Sequence, residues 1–408
     1  MRTGINKIRN FFVVFLLLVG FFGSGYYFGL NGYKAEVKNA LNVKISRDLP
    51  PDKNVDFNMF WQVWDSLSAK YYDKSKLVPS EMVNGAISGM VSALGDPYTM
   101  FLAPQTNKIV DDDLKGKLEG IGIEIGYKDK NLAVVSPLTD SPAQKAGVKA
   151  GDLILHIKDE KKNVDKDTGG MNLSEAVNYI RGPAGSIVTL TFYREGKDKP
   201  FVLDITRDTI NIPSVALEWV GEGKNIAQVK ILKFGAETAG EWDKIIRQVT
   251  DKKDTKGIIV DVRNNPGGYL QAAIDIASDF VNTGTVIVIQ ENGDKTKQEF
   301  KSTKLPRLLN YETAILINGG SASASEILSG ALRDDLGVKL VGDKSFGKGT
   351  IQEPLEMAGG AGLHITIAKW LTPKETWVHG QGLKPDIEIK NPEDGSKDLQ
   401  LGKAIELF

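Results

Sequence analysis

The 408-residue chain contains no cysteine. That excludes a thiol nucleophile, a disulfide framework and any thiolate metal site. Histidine is nearly as scarce. His156, His364 and His379 are the only three, and no pair of them has metal-ligand spacing, so no zinc site is expected. Neither sign of charge is in excess: 51 basic residues face 52 acidic ones, for a net charge of -1. With no basic stripe, nucleic acid is not an expected partner. What remains is a chain long enough for two or three globular domains, with one unusual N-terminus.

Arg2, Lys7 and Arg9 precede an uncharged stretch from Phe11 to Leu30, rich in Phe, Val and Leu. About twenty such residues cross a bilayer as a helix. A cleaved signal peptide has a shorter apolar region, roughly 7–15 residues, ending in small residues. Here Gly23, Ser24 and Gly25 lead instead into Tyr26, Tyr27 and Phe28, an aromatic belt of the interfacial kind. Residues 1–30 are therefore expected to be an uncleaved signal anchor, with the cleaved signal as the alternative. The preceding positive charges put the rest of the chain outside the cytoplasm.

Residues 31–54, polar and with Pro50-Pro51, are expected to be a linker. A helical region over 55–110 follows. Phe57, Phe60, Trp61, Trp64 and Leu67 have helical spacing, predicting a helix from Asp56 to Tyr71 capped by the aspartate, and a second from about Ser80 to Ala93. The aromatic stripe suits either a helical pair packing on itself or a homodimer contact. Residues 115–208 have the texture of a small β-rich module, with alternation at Ile121, Ile123 and Ile125 and a helix marked by Leu173, Ala176, Val177 and Ile180. From 210 to 390, strands such as Ile226–Ile231, Gly257–Val262 and Ala314–Ile317 alternate with helices. That pattern predicts an α/β core with a largely parallel sheet, followed by a tail, 391–408.

The run Gly319-Gly320-Ser321-Ala322-Ser323-Ala324-Ser325-Glu326 lies just past a strand, where sites of such sheets gather. Ser323 and Glu326 fit a capping box, the commonplace reading. The other reading is a nucleophile: small neighbours admit a peptide carbonyl, Gly319-Gly320 permits unusual backbone angles, and a helix starting there aims N–H groups at an oxyanion. By composition alone Ser321 and Ser325 are rivals. No aspartate is marked as partner for any histidine. Lys348, flanked by Phe346-Gly347 and Gly349, is the better base, because burial among apolar groups drives an amine towards its neutral form. Gln352 is placed to orient that amine without holding it as a cation. The run Gly342 to Gly349 nearly matches a phosphate-binding loop, but Gly349 replaces the hydroxyl residue that would bind magnesium and no helix follows, so nucleotide is not expected.

Several ordered motifs carry a resemblance. They are Gly95-Asp96-Pro97-Tyr98-Thr99, Ser141-Pro142-Ala143, Ala150-Gly151-Asp152, Asp261 to Gly268, the Ser323 run, Phe346 to Gln352 and Pro385-Asp386-Ile387. From about Val55 onward the chain resembles the carboxyl-terminal processing (tail-specific) proteases. The resemblance implies a multidomain α/β fold: a crotonase-like protease core with an inserted PDZ domain. It implies Ser323 as nucleophile, Lys348 as general base, Gln352 as its orienting partner, and an oxyanion hole from the N–H groups of Ala324 and Gly268, with Gly267 as the alternative glycine. Gly120-Ile121-Gly122-Ile123 resembles the loop that holds a C-terminal carboxylate, beside a strand to which a peptide adds; Arg181 is a candidate link between this module and the protease or ligand. The expected activity is that of a membrane-anchored serine endopeptidase recognising unstructured C-terminal tails, with no metal or cofactor. The alternative is a catalytically silent PDZ scaffold.

Overall fold

The computed structural model describes residues 13, 15–27, 33–39, 42–47, 56–138, 140–392 and 396–408. The chain divides into two compact units, residues 1–83 and 84–408. In the first, residues 15–27 are helical; the rest of the expected span, apart from residue 13, and the basic residues before it lie outside the described residues. Among the described residues no helix is long and apolar enough to cross a membrane. Where a linker was expected, Tyr33–Asn39 pairs antiparallel with Asn42–Arg47, as alternation of Tyr33, Ala35 and Val37 and of Val43 and Ile45 allows. Helix Asn58–Lys70 follows, and none of its residues is buried. The cap is Phe57 and not the expected Asp56; the aspartate, one position further out, accepts the Asn58 N–H at 2.8 Å.

The second unit has three layers of organisation. A six-stranded sheet holds Phe201–Thr206, Ile187–Tyr193, Leu153–Asp159, Asn131–Pro137 and Ile123–Lys128 in that order, with Val164–Asp167 paired to Leu153–Asp159. Ile123–Lys128 is thus an edge strand. Helix Leu173–Ile180, opened by a reciprocal Asn172–Glu175 capping box, packs Ala176 and Ile180 against Ile154, Leu190 and Phe192. The module is inserted in the chain, and its two ends are tied by an antiparallel ribbon of Lys117–Gly120 with Asp208–Asn211.

The core sheet runs Val215–Val220, Ile226–Ile231, Gly257–Asp261, Glu312–Ile317, Lys339–Gly342 and Ile387–Glu388. Only the first pair is antiparallel. Alternate residues face opposite ways. Ile258 and Val260 join Trp242, Ile246, Ile274 and Leu328 of three helices, whereas Ile259 and Leu316 pack with Ala404 of the C-terminal helix Leu399–Ile405. Sheet and helices therefore bury a large apolar core, worth about 25 cal/mol for each Å² removed from water. A second, antiparallel sheet links Lys297–Lys301, Val286–Asn292, Gly362–Leu371 and Thr350–Glu356. The short strand Met100–Leu102 adds to it, with Met100 opposite His364. This last pairing fixes the turn 95–99 beside the site.

Candidate active site

Strand Glu312–Ile317 ends in the small-residue turn, and helix Ala324–Leu336 begins beyond it. Ser323 sits at the junction with φ 54° and ψ -115°. A non-glycine residue there costs on the order of 1–3 kcal/mol and persists only when its surroundings enforce it. The surroundings are visible. Ser321 Oγ donates to Val262 O at 2.8 Å and Ser325 Oγ donates to Asn265 O at 2.9 Å. Both rival hydroxyls are fully buried, spent on pinning this turn to the loop after strand Gly257–Asp261. Ser323 alone of the three lines the large cavity of about 490 Å³.

The loop Pro266-Gly267-Gly268 closes on that turn. Gly267 has φ +103°, and a Cβ there would lie 2.8 Å from both Ala322 O and Ser323 Cβ. Gly268, at φ +140°, approaches Phe234 so closely that a Cβ would fall 2.1 Å from its carbonyl oxygen. The Gly267 N–H donates to Asn265 Oδ1 at 2.9 Å, which leaves the Gly268 N–H as the free donor of the pair.

Lys348 lines the same cavity, as do Gln352 and His364. Its flanking glycines permit close packing: a Cβ on Gly349 would meet Trp377 Nε1 at 2.7 Å. Burial drives the Lys348 amine below the usual lysine range, against the pull of the Asp96 carboxylate. Burial and then the Lys348 charge likewise hold His364 down. The Lys348 ammonium lies over the Tyr98 ring, 5.1 Å from its centroid, and among the described residues no hydrogen bond joins it to Ser323 Oγ. Gln352 Nε2 donates to Thr350 Oγ1 at 2.9 Å and Thr366 Oγ1 at 3.0 Å.

Glu326 does more than a cap would. It is fully buried, and its carboxylate accepts the N–H of Ser323 at 3.0 Å, of Gly347 at 2.7 Å and of Lys348 at 2.8 Å, and the hydroxyl of Ser345 at 2.6 Å. One carboxylate thus ties the Ser323 turn to the Lys348 loop. The sequence marks Glu326 only as the third residue after Ser323; its reach to the loop twenty residues on has no local sign.

Among the other expected residues, Gly120, Ile121, Gly122 and Ile123 border a separate small cavity with Val177, Ile180 and Arg181. Gly122 has φ +72° and abuts Ser141. Arg181 borders the large cavity as well. His156 faces Asp165 at 2.9 Å, remote from Ser323 in the β-rich module. Among the described residues no cluster could hold a metal ion.

An α/β core with a strained serine at a strand-to-helix turn, beside a peptide-binding module with an open edge, defines a serine-type peptidase. The description Peptidase family S41 matches residues 225–389, PDZ domain matches 134–194, and Activating protease CtpB N-terminal domain matches 17–106. The carboxy-terminal processing protease CtpB of Bacillus subtilis is 36% identical over 391 residues, covering 95% of this chain and 79% of the relative. CtpA of the same organism is 36% identical over 337 residues, covering 83% and 70%. A solved photosystem II D1 C-terminal processing protease superposes with TM-score 0.50 at 26% identity, over 85% of this chain and 95% of that one. The chain belongs to the S41 family of carboxy-terminal processing serine proteases, and its β-rich module is a PDZ domain, the kind that binds peptide C-termini.

Proposed function

We propose that this peptidase is anchored in the membrane by its N-terminal segment, works outside the cytoplasm, and cleaves with Ser323 as nucleophile and Lys348 as general base. The observation that carries the chemistry is the strained Ser323 on one cavity with a half-buried lysine, while Ser321 and Ser325 are consumed in structural hydrogen bonds. The neutral Lys348 amine takes the hydroxyl proton as Ser323 Oγ attacks the scissile carbonyl. The oxyanion faces the N–H groups of Ala324 and Gly268, and the positive end of helix Ala324–Leu336 adds to their field. Collapse breaks the C–N bond, and the lysine ammonium gives its proton to the departing amine. Water then enters, loses a proton to Lys348 and attacks the acyl carbonyl, and the lysine ammonium returns that proton to Ser323 Oγ as the C–O bond to the acyl group breaks. Gln352, held by Thr350 and Thr366, orients the lysine.

The substrate tail adds to edge strand Ile123–Lys128, with its carboxylate in the Gly120–Ile123 loop. Its upstream segment crosses the cavity, whose wall includes Ile109, Val110, Leu114, Leu270 and Ile327. Anchoring is supported by the uncharged stretch Phe11–Leu30 behind Arg2, Lys7 and Arg9, and dimerisation by the exposed Met59, Trp61 and Val63. The full chain in detergent micelles, incubated with an unfolded protein bearing a free C-terminus, should cleave it, and Ser323→Ala and Lys348→Ala should each lose activity by at least about a thousandfold. Cleavage that survives in both variants would overturn the mechanism.

A further inference from the structure

The turn Gly95–Thr99 belongs to neither the serine turn nor the lysine loop, yet it closes over both the lysine and its glutamine. Strand Met100–Leu102 pairs with Gly362–Leu371, and Thr99 Oγ1 accepts the Thr366 N–H at 3.0 Å. Thr99 Oγ1 also donates to Asp96 Oδ2 at 2.7 Å, and the Tyr98 N–H donates to Asp96 Oδ1 at 3.0 Å. Thr366, bound to Thr99 through its backbone N–H, accepts from Gln352 at its Oγ1. Asp96 is thus linked to Gln352 through Thr99 and Thr366. On the other side of the same turn the Tyr98 ring lies against the Lys348 ammonium, and His379 abuts Tyr98 edge-on with centroids 6.0 Å apart.

We infer that Tyr98, backed by Asp96, is a positioning residue of the catalytic centre: its ring face holds the Lys348 ammonium, and the pair decides how readily that ammonium gives up its proton. The physics has two opposing parts. Burial favours the neutral amine. An aromatic face and a nearby carboxylate favour the cation, the first through the ring quadrupole and the second by Coulomb attraction. Among the described residues, Asp113, Arg181, Lys233 and His364 are further charged or titratable groups on the cavity that Lys348 lines. Asp96 and Tyr98 come from the turn, and His364, whose own proton affinity the Lys348 charge lowers, comes from strand Gly362–Leu371. Glu326, from helix Ala324–Leu336, is occupied with the Lys348 backbone N–H. The turn is therefore the main counterweight to burial.

The inference rests on Lys348 acting as base, and the test separates the two. The rate at which a fluorophosphonate labels Ser323 in the full chain, with an unfolded protein present to occupy the PDZ groove, is followed against pH. It should rise through an acid limb as Lys348 deprotonates. Replacing Tyr98 by leucine leaves the cation less well held, so it loses its proton at lower pH. The limb of Tyr98→Leu should move down by about half a pH unit or more, and that of Asp96→Asn in the same direction. Tyr98→Phe keeps the ring and should keep the limb. A ring-fluorinated phenylalanine at position 98 has nearly the same shape but a weakened face, and should shift the limb as leucine does. This variant keeps the test sharp even if leucine or asparagine loosens the fold. A lysine that proves essential, with a limb that stays fixed in the fluorinated variant, would refute the inference alone. Labelling that persists in Lys348→Ala would instead remove the base on which it stands.

Discussion

At the scale of single residues, Glu326 shows how a capping motif can be read correctly and still be undervalued. A helix cap needs the glutamate to reach back one turn, and Glu326 does so at 3.0 Å. The same carboxylate also accepts from Ser345, Gly347 and Lys348. Four donors converge on two oxygens of a buried carboxylate. Glu326→Gln replaces one acceptor by an NH₂ group that points at N–H donors, leaving at least one of them unsatisfied. Such a loss costs about 1–3 kcal/mol, and it loosens a tie between the serine turn and the lysine loop that is otherwise held by the Phe346 N–H on the Ser321 carbonyl. We expect a lower unfolding midpoint together with a labelling rate of Ser323 at least about tenfold slower, since small misplacement of reacting groups is costly. A melting point that falls while labelling proceeds at the parental rate would show that the carboxylate serves stability only.

Between residues and the whole lie the elements, and here the C-terminal helix Leu399–Ile405 is instructive. It covers the outer face of the core sheet through Ala404, but its start is fastened by charge. Arg263 forks onto Asp398 at 2.8 and 2.9 Å and onto Asp261 at 2.9 and 2.7 Å. Burial pushes the Asp398 carboxyl up, but the Arg263 fork, the Leu401 N–H and the Asn391 amide outweigh it and hold it at about 2. A carboxyl held below its ordinary value near 3.9 stabilises the fold above that pH, and the gain is lost as pH falls through about 2. The shift is worth about 2.5 kcal/mol at face value. With the side chain 38% exposed, solvent screening reduces this to about 1 kcal/mol. Asp398→Asn should lower stability by that amount near pH 7, and the gap from the parent should narrow below about pH 4 and close as pH falls through about 2; a gap equally wide at both ends of that range would rule the ion pair out as its source. Legibility also divides at this scale. Helix Leu173–Ile180 and strands such as Ile226–Ile231 and Gly257–Asp261 were readable because each is set by residues within a dozen positions, and the Ser323 turn showed as a small-residue motif although its pins, Val262 and Asn265, lie about sixty residues away. Strand Met100–Leu102 was not, because three residues carry no usable periodicity and their partner strand lies over 250 residues away. The turn 95–99 was therefore visible as a motif, but its place beside Lys348 was not. The paired strands Tyr33–Asn39 and Asn42–Arg47 have no sign as strands for a simpler reason: charged residues between their apolar ones read as linker.

Taken as a whole, the unit of residues 84–408 places one arginine, Arg181, on the border of two cavities. Arg181 follows helix Leu173–Ile180 as its C-cap, with extended backbone, and its carbonyl accepts from Lys162 Nζ. It borders the small cavity beside Gly120–Ile123, and it also borders the large cavity that holds Ser323 and Lys348. We propose that a tail seated on the edge strand Ile123–Lys128 alters what Arg181 faces, since the two share the small cavity. The ribbon Lys117–Gly120 with Asp208–Asn211 ties the two ends of the PDZ domain together. Lys108 meets Glu119 of that ribbon at 2.6 Å, and Lys233 of the core meets Asp113 at 2.5 Å; both are partly exposed pairs worth little alone. Such weak fastening suits a domain that shifts on binding. A ligand moves an equilibrium only by its differential affinity for the two states, and Arg181 is the side chain that both cavities share. A peptide with a free C-terminal carboxylate should accelerate fluorophosphonate labelling of Ser323 in the parent. In Arg181→Ala the peptide should still bind, with its affinity within a few-fold by calorimetry, while the acceleration disappears. Acceleration of equal size in parent and variant would place the coupling elsewhere, and the two charged fastenings at Glu119 and Asp113 would be the next residues to replace.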